Sequence, residues 1–320
     1  MSTKPYDLPR HSSNVSLITA AHHDLKGTGR YFVTMVTEGR QPVLSVICQG
    51  GYARWTEVGQ CVNDEIHALT EKWPIAIDRL AIMPDHIHLC FRVTENLNQS
   101  ILKILSSCRS FAQKEAGFNS DTKRLWERKY RLFVAFNREA YGRCIDYTAA
   151  NPLRWWLTHH HSKILTPQMV EHALLPSEFQ WQAVGHLTLL ESPLFFPIII
   201  HRKDTPEQVA ELEAQALRVA QNGGVIVGGF ISQAEKALLK ALYAKVPDLK
   251  LIRLVPHTLS GYKPPARVVD AFAQGRRLLL TSVPDVREDE TCSRVVCLRH
   301  NAVAEHFAET SKGLCLPEIG

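Results

Sequence analysis

An α+β sandwich followed by an α/β domain is the fold class predicted for this chain of 320 residues, on three observations. Up to about residue 165, apolar-polar alternation is interleaved with helical periodicity in the order strand, helix, hairpin, helix, strand. Beyond about residue 185 the pattern becomes a regular alternation of one apolar strand with one amphipathic helix. The length itself exceeds what a single core ordinarily organises and suggests about two domains.

Taken in order, residues 1–28 read as a polar lead, 29–184 as the first domain and 185–320 as the second. A strand is predicted at 30–37, a helix at 55–72, and two strands at 75–82 and 86–93 joined by the Pro84-Asp85 turn. A helix follows over 98–116, where Ile101, Ile104, Leu105, Cys108 and Phe111 have helical spacing. Next come a strand near 132–136 and a helix from 138 to about 150, stopped by Pro152 because the residue before proline avoids the helical region. That order fits a split β-α-β sandwich of the ferredoxin-like type. The second domain is predicted to alternate strands (195–201, 224–230, 249–255, 276–282) with helices (206–221, 232–245, 266–274, 293–309). Such alternation implies a parallel sheet covered on both faces, a Rossmann-like α/β domain.

Apolar content of 45% with 22% charged residues is that of a soluble globular protein. No run approaches the roughly 18 apolar residues needed to span a bilayer, and the polar stretch 1–23 lacks the apolar core of a signal peptide. A cytoplasmic location with no membrane partner is expected. Eight cysteines without a Cys-x-x-Cys pair indicate neither a disulfide framework nor a zinc ribbon. Net charge is +5, and between Lys123 and Lys163 nine basic residues stand against three acidic ones. That segment should seek phosphates. Its interleaved Trp126, Tyr130, Trp155 and Trp156 favour single-stranded nucleic acid over a merely solvated face, because bases stack on rings while Lys and Arg hold the backbone.

Chemistry is concentrated at His86-Ile87-His88. Side chains alternate along a strand, so His86 and His88 point one way with Cys90 and Arg92, while Ile87, Leu89, Phe91 and Val93 point into the core. Two imidazoles so placed can grip one metal ion. The spacing alone is weak, since His159 and His161 share it. On the helix before Pro152, however, Arg143, Tyr147 and Asn151 recur every fourth residue along one stripe, and the stripes Ile145/Ala149 and Cys144/Thr148 are left to pack. Tyr130 and Tyr141 are rival nucleophiles; Tyr141 has Ile145 four residues on and reads as packing, and Tyr130 could stack a base.

Met-Pro-Asp-His-Ile-His-Leu (83–89), Leu-Trp-Glu-Arg-Lys-Tyr (125–130) and Ile-Asp-Tyr-Thr-Ala-Ala-Asn-Pro (145–152) resemble the REP-associated tyrosine transposases, of the single-tyrosine HUH class, over roughly residues 25–165. The resemblance implies metal-dependent transesterification of single-stranded DNA, with a hairpin as the expected substrate. By it, His86, His88 and Asn151 hold Mg²⁺ or Mn²⁺, and Tyr147 attacks the phosphate to leave a 5′-phosphotyrosine and a free 3′-OH. Arg143, Trp126, Arg128, Lys129 and Arg131 are the expected DNA contacts.

In the second domain, Gly223-Gly224-Val-Ile-Val-Gly228-Gly229-Phe-Ile-Ser232 sets glycines where a strand meets a helix, whose first amides can hold an anion. Ser232 and Glu235 also satisfy a capping box, which explains both without a ligand. The segments 224–229, 251–257, 275–282 and 298–304 resemble the DprA-like branch of the SLOG Rossmann superfamily. That resemblance implies a pocket for DNA or a nucleotide lined by Gly228, Gly229, Ser232, Arg299 and Asn301. Two alternatives stand beside the nicking enzyme: a non-catalytic or regulatory single-stranded DNA-binding protein derived from a transposase, and a nucleotide-processing enzyme acting through the second domain.

Overall fold

The computed structural model describes residues 15–18 as backbone, and 23–118, 123–286 and 293–310. The chain divides into two compact units, residues 1–156 with 265–267, and 157–264 with 268–320. Both are mixed α/β. Among the described residues no helix is long and apolar enough to cross a membrane.

In the first unit the elements run β1 (Val15–Ile18), β2 (Gly29–Val36), β3 (Ser45–Ile47), β4 (Ala53–Trp55), α1 (Glu57–Lys72), β5 (Ile75–Ile82), β6 (His86–Val93), α2 (Ile101–Glu115), β7 (Tyr130–Val134) and α3 (Arg138–His160). The main sheet has the order β1-β7-β2-β6-β5. Neighbours among β7, β2, β6 and β5 are antiparallel, and β1 joins the edge parallel to β7. The polar lead therefore contains a strand. β3 and β4 form a separate two-stranded ribbon that the sequence pattern did not signal.

Strand β6 fixes the layering. Ile87, Leu89, Phe91 and Val93 are buried in a core shared with Val62, Ile66 and Leu69 of α1 and Ile101, Ile104 and Leu105 of α2. Full burial of such a side chain is worth about 1.5–3 kcal/mol, so slipping β6 by one residue would exchange four of these for the His pair. α1 starts at Thr56, whose Oγ1 accepts from Gly59 N (3.1 Å) and donates to the carbonyl of Val43 (2.6 Å). In β5 the register shifts between Ile77 and Arg79, a bulge that turns Asp78 toward Arg92 on β6. On the other face of the sheet Cys90 packs with Tyr141 and Cys144 of α3.

α3 does not end before Pro152 but runs on to His160 with the proline inside it. A proline removes one backbone donor, and a helix held along its length by packing can continue through that loss. Its sheet-facing stripe is also narrower than expected: Cys144 and Thr148 are buried, but Ala149 is exposed and Ile145 only half-buried.

The second unit comprises α4 (Ser162–Leu165), β8 (Gln168–Val170), β9 (Trp181–Gly185), β10 (Phe195–Pro197), α5 (Pro206–Gln221), β11 (Val225–Gly228), α6 (Gln233–Lys245), β12 (Lys250–Leu254), α7 (Val269–Ala273), β13 (Arg277–Thr281) and α8 (Arg294–Thr310). Its sheet has the order β10-β11-β12-β13-β9-β8. The first four strands are parallel, and β9 and β8 extend the sheet antiparallel beyond β13. Residues 168–170 and 181–185 thus belong to the second sheet, so the second unit begins before residue 185. Helices α5 and α6 cover one face through Ala216, Val219, Leu238 and Leu242, and α8 covers the other through Val303, Ala304 and Phe307.

Gly59 lies so close to the carbonyl of Leu44 that a Cβ there would collide with it. Gly59→Ala is accordingly expected to cost about 1–3 kcal/mol, read from denaturant melts. His300 is 1% exposed, and burial first, then Arg299, pushes its pKa down to about 4. Its folded value lies below its ordinary 6.5, so the unfolded chain takes up the proton first as pH falls. Stability from this group is complete above that ordinary value and is lost toward the folded one, by about 3 kcal/mol in all. His300→Gln should show a correspondingly shallower fall in melting temperature across that window.

Candidate active site

His86 and His88 stand on the face of β6 opposite the core, with ring centroids 4.8 Å apart. Each is oriented through Nδ1. The carboxylate of Asp85 lies 2.6 Å from His86 Nδ1 and also accepts from Arg40 Nη1 at 2.9 Å. These partners, His86 foremost, hold the Asp85 carboxyl below the usual carboxylate range. Thr34, directly across the ladder on β2, places Oγ1 3.0 Å from His88 Nδ1. Both rings therefore have Nε2 left for chemistry.

His88 is 5% exposed, and its Nε2 is buried with no hydrogen-bond partner among the described residues. Burial above all, then the charges of His86 and Arg154, drives its pKa well below 6.5. The imidazole is thus neutral. If Nδ1 donates to Thr34, Nε2 carries a bare lone pair, the form in which histidine binds a metal.

From above, α3 lowers Tyr147 and Asn151 onto this pair. The Tyr147 ring lies edge-on 5.1 Å from His88 and 6.2 Å from Phe32, and the Arg154 guanidinium sits 5.1 Å over it. Asn151 is buried, and its Nδ2 has no hydrogen-bond partner among the described residues. A cavity of about 290 Å³ is lined by His86, His88, Tyr147 and Asn151, with Arg40 and Arg131 as its cations and Phe32, Val36 and Phe133 as its apolar wall. One cavity thus gathers two imidazoles, a phenol, an amide and two guanidinium groups.

Neither rival phenol lines the cavity. Tyr141 donates to Asp78 Oδ2 at 2.6 Å, and Asp78 also accepts both Nε and Nη2 of Arg92. Burial and the Asp78 hydrogen bond raise the Tyr141 pKa far above that of a free phenol. Tyr130 is 2% exposed beneath the Arg109 guanidinium and offers no face to a base.

Of the expected DNA contacts, Arg131 reaches the cavity, and Arg128 and Lys129 are exposed beside it in sequence. Arg143 is exposed and bonded to Glu139 at 2.7 Å, one turn short of the cavity. Trp126 is a correction: it is 4% exposed inside the core, pinned by a backbone bridge to Thr37, and has no free ring face. Sequence reasoning missed Thr34, Arg40, Asp85 and Arg154. Arg154 had a signal, since it continues the Tyr147, Asn151 spacing by three residues. Truncating the helix at Pro152 hid it.

In the second unit, Ser232 caps α6 and Glu235 closes the capping box. The Glu235 carboxylate, 7% exposed at the residue level, accepts from the amides of Ile231 (2.9 Å) and Ser232 (3.0 Å). The two amides that lead into α6 are therefore satisfied by the chain's own carboxylate. Gly228 is required by packing, because a Cβ would come within 2.9 Å of the Ile198 carbonyl oxygen. Arg299 sits 3.6 Å over the Phe179 ring, with Nη1 3.3 Å from Ser282 Oγ. Asn301 is half-buried on α8.

No protein-family model and no curated protein matches the chain. Among solved structures it is similar to a REP-associated tyrosine transposase bound to a REP hairpin, at 18% identity over 43% of this chain and 74% of that one, with a TM-score of 0.34. It is also similar to DNA processing protein A from Helicobacter pylori, a single-stranded DNA binder, at 24% identity over 45% of this chain and 66% of that one, with a TM-score of 0.32. A third likeness is to a putative transposase from Deinococcus radiodurans, at 15% identity over 41% of this chain and 93% of that one, with a TM-score of 0.28. Likenesses this distant carry no weight for function, which rests on the cavity.

Proposed function

We propose that the first unit nicks and rejoins single-stranded DNA, with a hairpin as substrate, through a 5′-phosphotyrosine on Tyr147. The observation that carries this reading is the convergence of His86, His88, Tyr147 and Asn151 on one cavity with Arg40 and Arg131. The strand order β7-β2-β6-β5 supports it, since this is the fourth-first-third-second order of a ferredoxin-like split β-α-β frame. For the second unit we propose a Rossmann-like α/β fold of the DprA type.

A divalent cation fits the donors present: the unpartnered, buried Nε2 of His88 faces a lining that also holds His86 and the Asn151 amide. Held by these three side chains, Mg²⁺ or Mn²⁺ would supply Lewis-acid polarisation of the scissile phosphate. Arg40 and Arg131 hold the phosphodiester by charge-assisted hydrogen bonds. Phe32, Val36 and Phe133 keep that side of the site dry, which strengthens those bonds. Arg154, over the Tyr147 ring, holds the phenol in place and stabilises negative charge developing on its oxygen. The phenol oxygen bonds to phosphorus and the bond from phosphorus to the 3′-oxygen breaks. The phenolic proton leaves to water, and the 3′-oxygen takes one up. One ester replaces another, so the step reverses onto a new 3′-OH without ATP.

Incubation of the full chain with a labelled hairpin oligonucleotide and Mn²⁺ should trap a covalent adduct. Tyr147→Phe should abolish it, lowering cleavage by roughly 10³-fold or more; a variant that cuts as the unaltered chain does would sink the mechanism. Salt-dependent hairpin binding with no adduct would leave the non-catalytic reading. Asp85 acts through His86 as a positioning residue, so Asp85→Asn should weaken Mn²⁺ binding about 10- to 100-fold in calorimetric titration.

A further inference from the structure

One surface of the first unit has no part in the chemistry above. On the β3–β4 ribbon Val46 pairs across with Arg54, and Tyr52 lies two residues before Arg54, on the same face. Tyr52 is 70% exposed, Val46 50% and the neighbouring Trp55 41%. Arg54 is exposed as well. An aromatic ring so open, on one face with a guanidinium, is not explained by packing.

The ribbon is anchored to both halves of the site. At its base Ser45 Oγ donates to the Ile82 carbonyl (2.8 Å), and the Leu44 amide donates to the Pro84 carbonyl (3.0 Å), in the turn that leads into His86. At its tip Gly51, with φ of 80°, packs so tightly on Leu153 of α3 that a Cβ would strike the Leu153 backbone. Leu153 stands between Asn151 and Arg154. The exposed Tyr52 ring is therefore held in a fixed relation to the imidazole pair and to Tyr147, and the cavity carries cations of its own, Arg40 and Arg131.

We propose that this ribbon is a stacking platform for unpaired nucleotides adjoining the phosphate bound in the cavity, with Tyr52 stacking a base and Arg54 contacting the backbone. The proposal rests on the single-stranded DNA reading. Its occupant follows from chemistry: every base presents a π-face to a ring, and the adjoining cations match a phosphate chain.

The test measures fluorescence anisotropy of a labelled oligothymidine and of the same strand made abasic, with the full chain. Tyr52→Ala should weaken oligothymidine binding about tenfold and leave the abasic strand within about twofold, and Tyr52→Phe should restore affinity. Equal oligothymidine affinity for Tyr52→Ala and the unaltered chain overturns the platform, and so does an equal loss on both strands. If the Tyr147 adduct forms while Tyr52→Ala binds unchanged, only the platform falls. If the unaltered chain binds neither strand, the platform and the DNA reading fall together.

Discussion

Strand β6 has two faces with incompatible demands, and the rest of the first unit is arranged to satisfy both. Its apolar set must be buried against α1 and α2, which leaves His86, His88, Cys90 and Arg92 on the opposite face of a central strand. Polar groups there need partners, because a buried donor or acceptor left unmade costs about 1–3 kcal/mol. Arg92 finds Asp78 through the bulge in β5, Cys90 lies 3.4 Å from Thr148 Oγ1, and the two Nδ1 atoms find Asp85 and Thr34. On the cavity wall, His88 Nε2 and Asn151 Nδ2 are buried without a hydrogen-bond partner among the described residues. Because both line one cavity, they mark where a ligand would be accommodated.

Helix α3 carries the second constraint. It must pack on the sheet through Cys144 and Thr148 and present Tyr147, Asn151 and Arg154 to the cavity beside that seam. Thr148 helps reconcile the two by returning its hydroxyl to the Cys144 carbonyl at 2.8 Å, which removes a donor from a buried surface. The price in helix propensity is small beside the packing it permits.

What could be read from the sequence follows the strength of the local signal. Strands β5 and β6 and helix α5 fall on the residues predicted, because each combines an uninterrupted period with a boundary residue: the Pro84-Asp85 turn, or Thr205 ahead of Pro206. The His pair and the Tyr147, Asn151 pair were legible for the same reason. The ribbon β3–β4 and the strands β8 and β9 were not, since three to five residues carry too little periodicity. Trp126 is buried despite its charged neighbours, because charge along the chain says nothing of which face a side chain takes. Thr34 could not be found at all, as its role depends on register across the ladder.

In the second unit the strand order bears on where a ligand could sit. Open α/β sheets form a crevice where successive crossovers turn in opposite directions. The four parallel strands here follow one another in chain order, β10-β11-β12-β13, with no such reversal among them. Just after the glycine pair that follows β11, the Ile231 and Ser232 amides are taken up by Glu235, and the capping box accounts for Ser232. Polar groups without partners gather instead beyond the end of β13, where His300 Nδ1 and Arg299 Nε are buried and unbonded beside Ser282. Among the described residues, a neutral imidazole and a guanidinium stacked on Phe179 meet at that corner. Arg299 and His300 thus hold the unpartnered buried nitrogens at the β13 edge, whereas Gly228 serves the close packing of strand on loop.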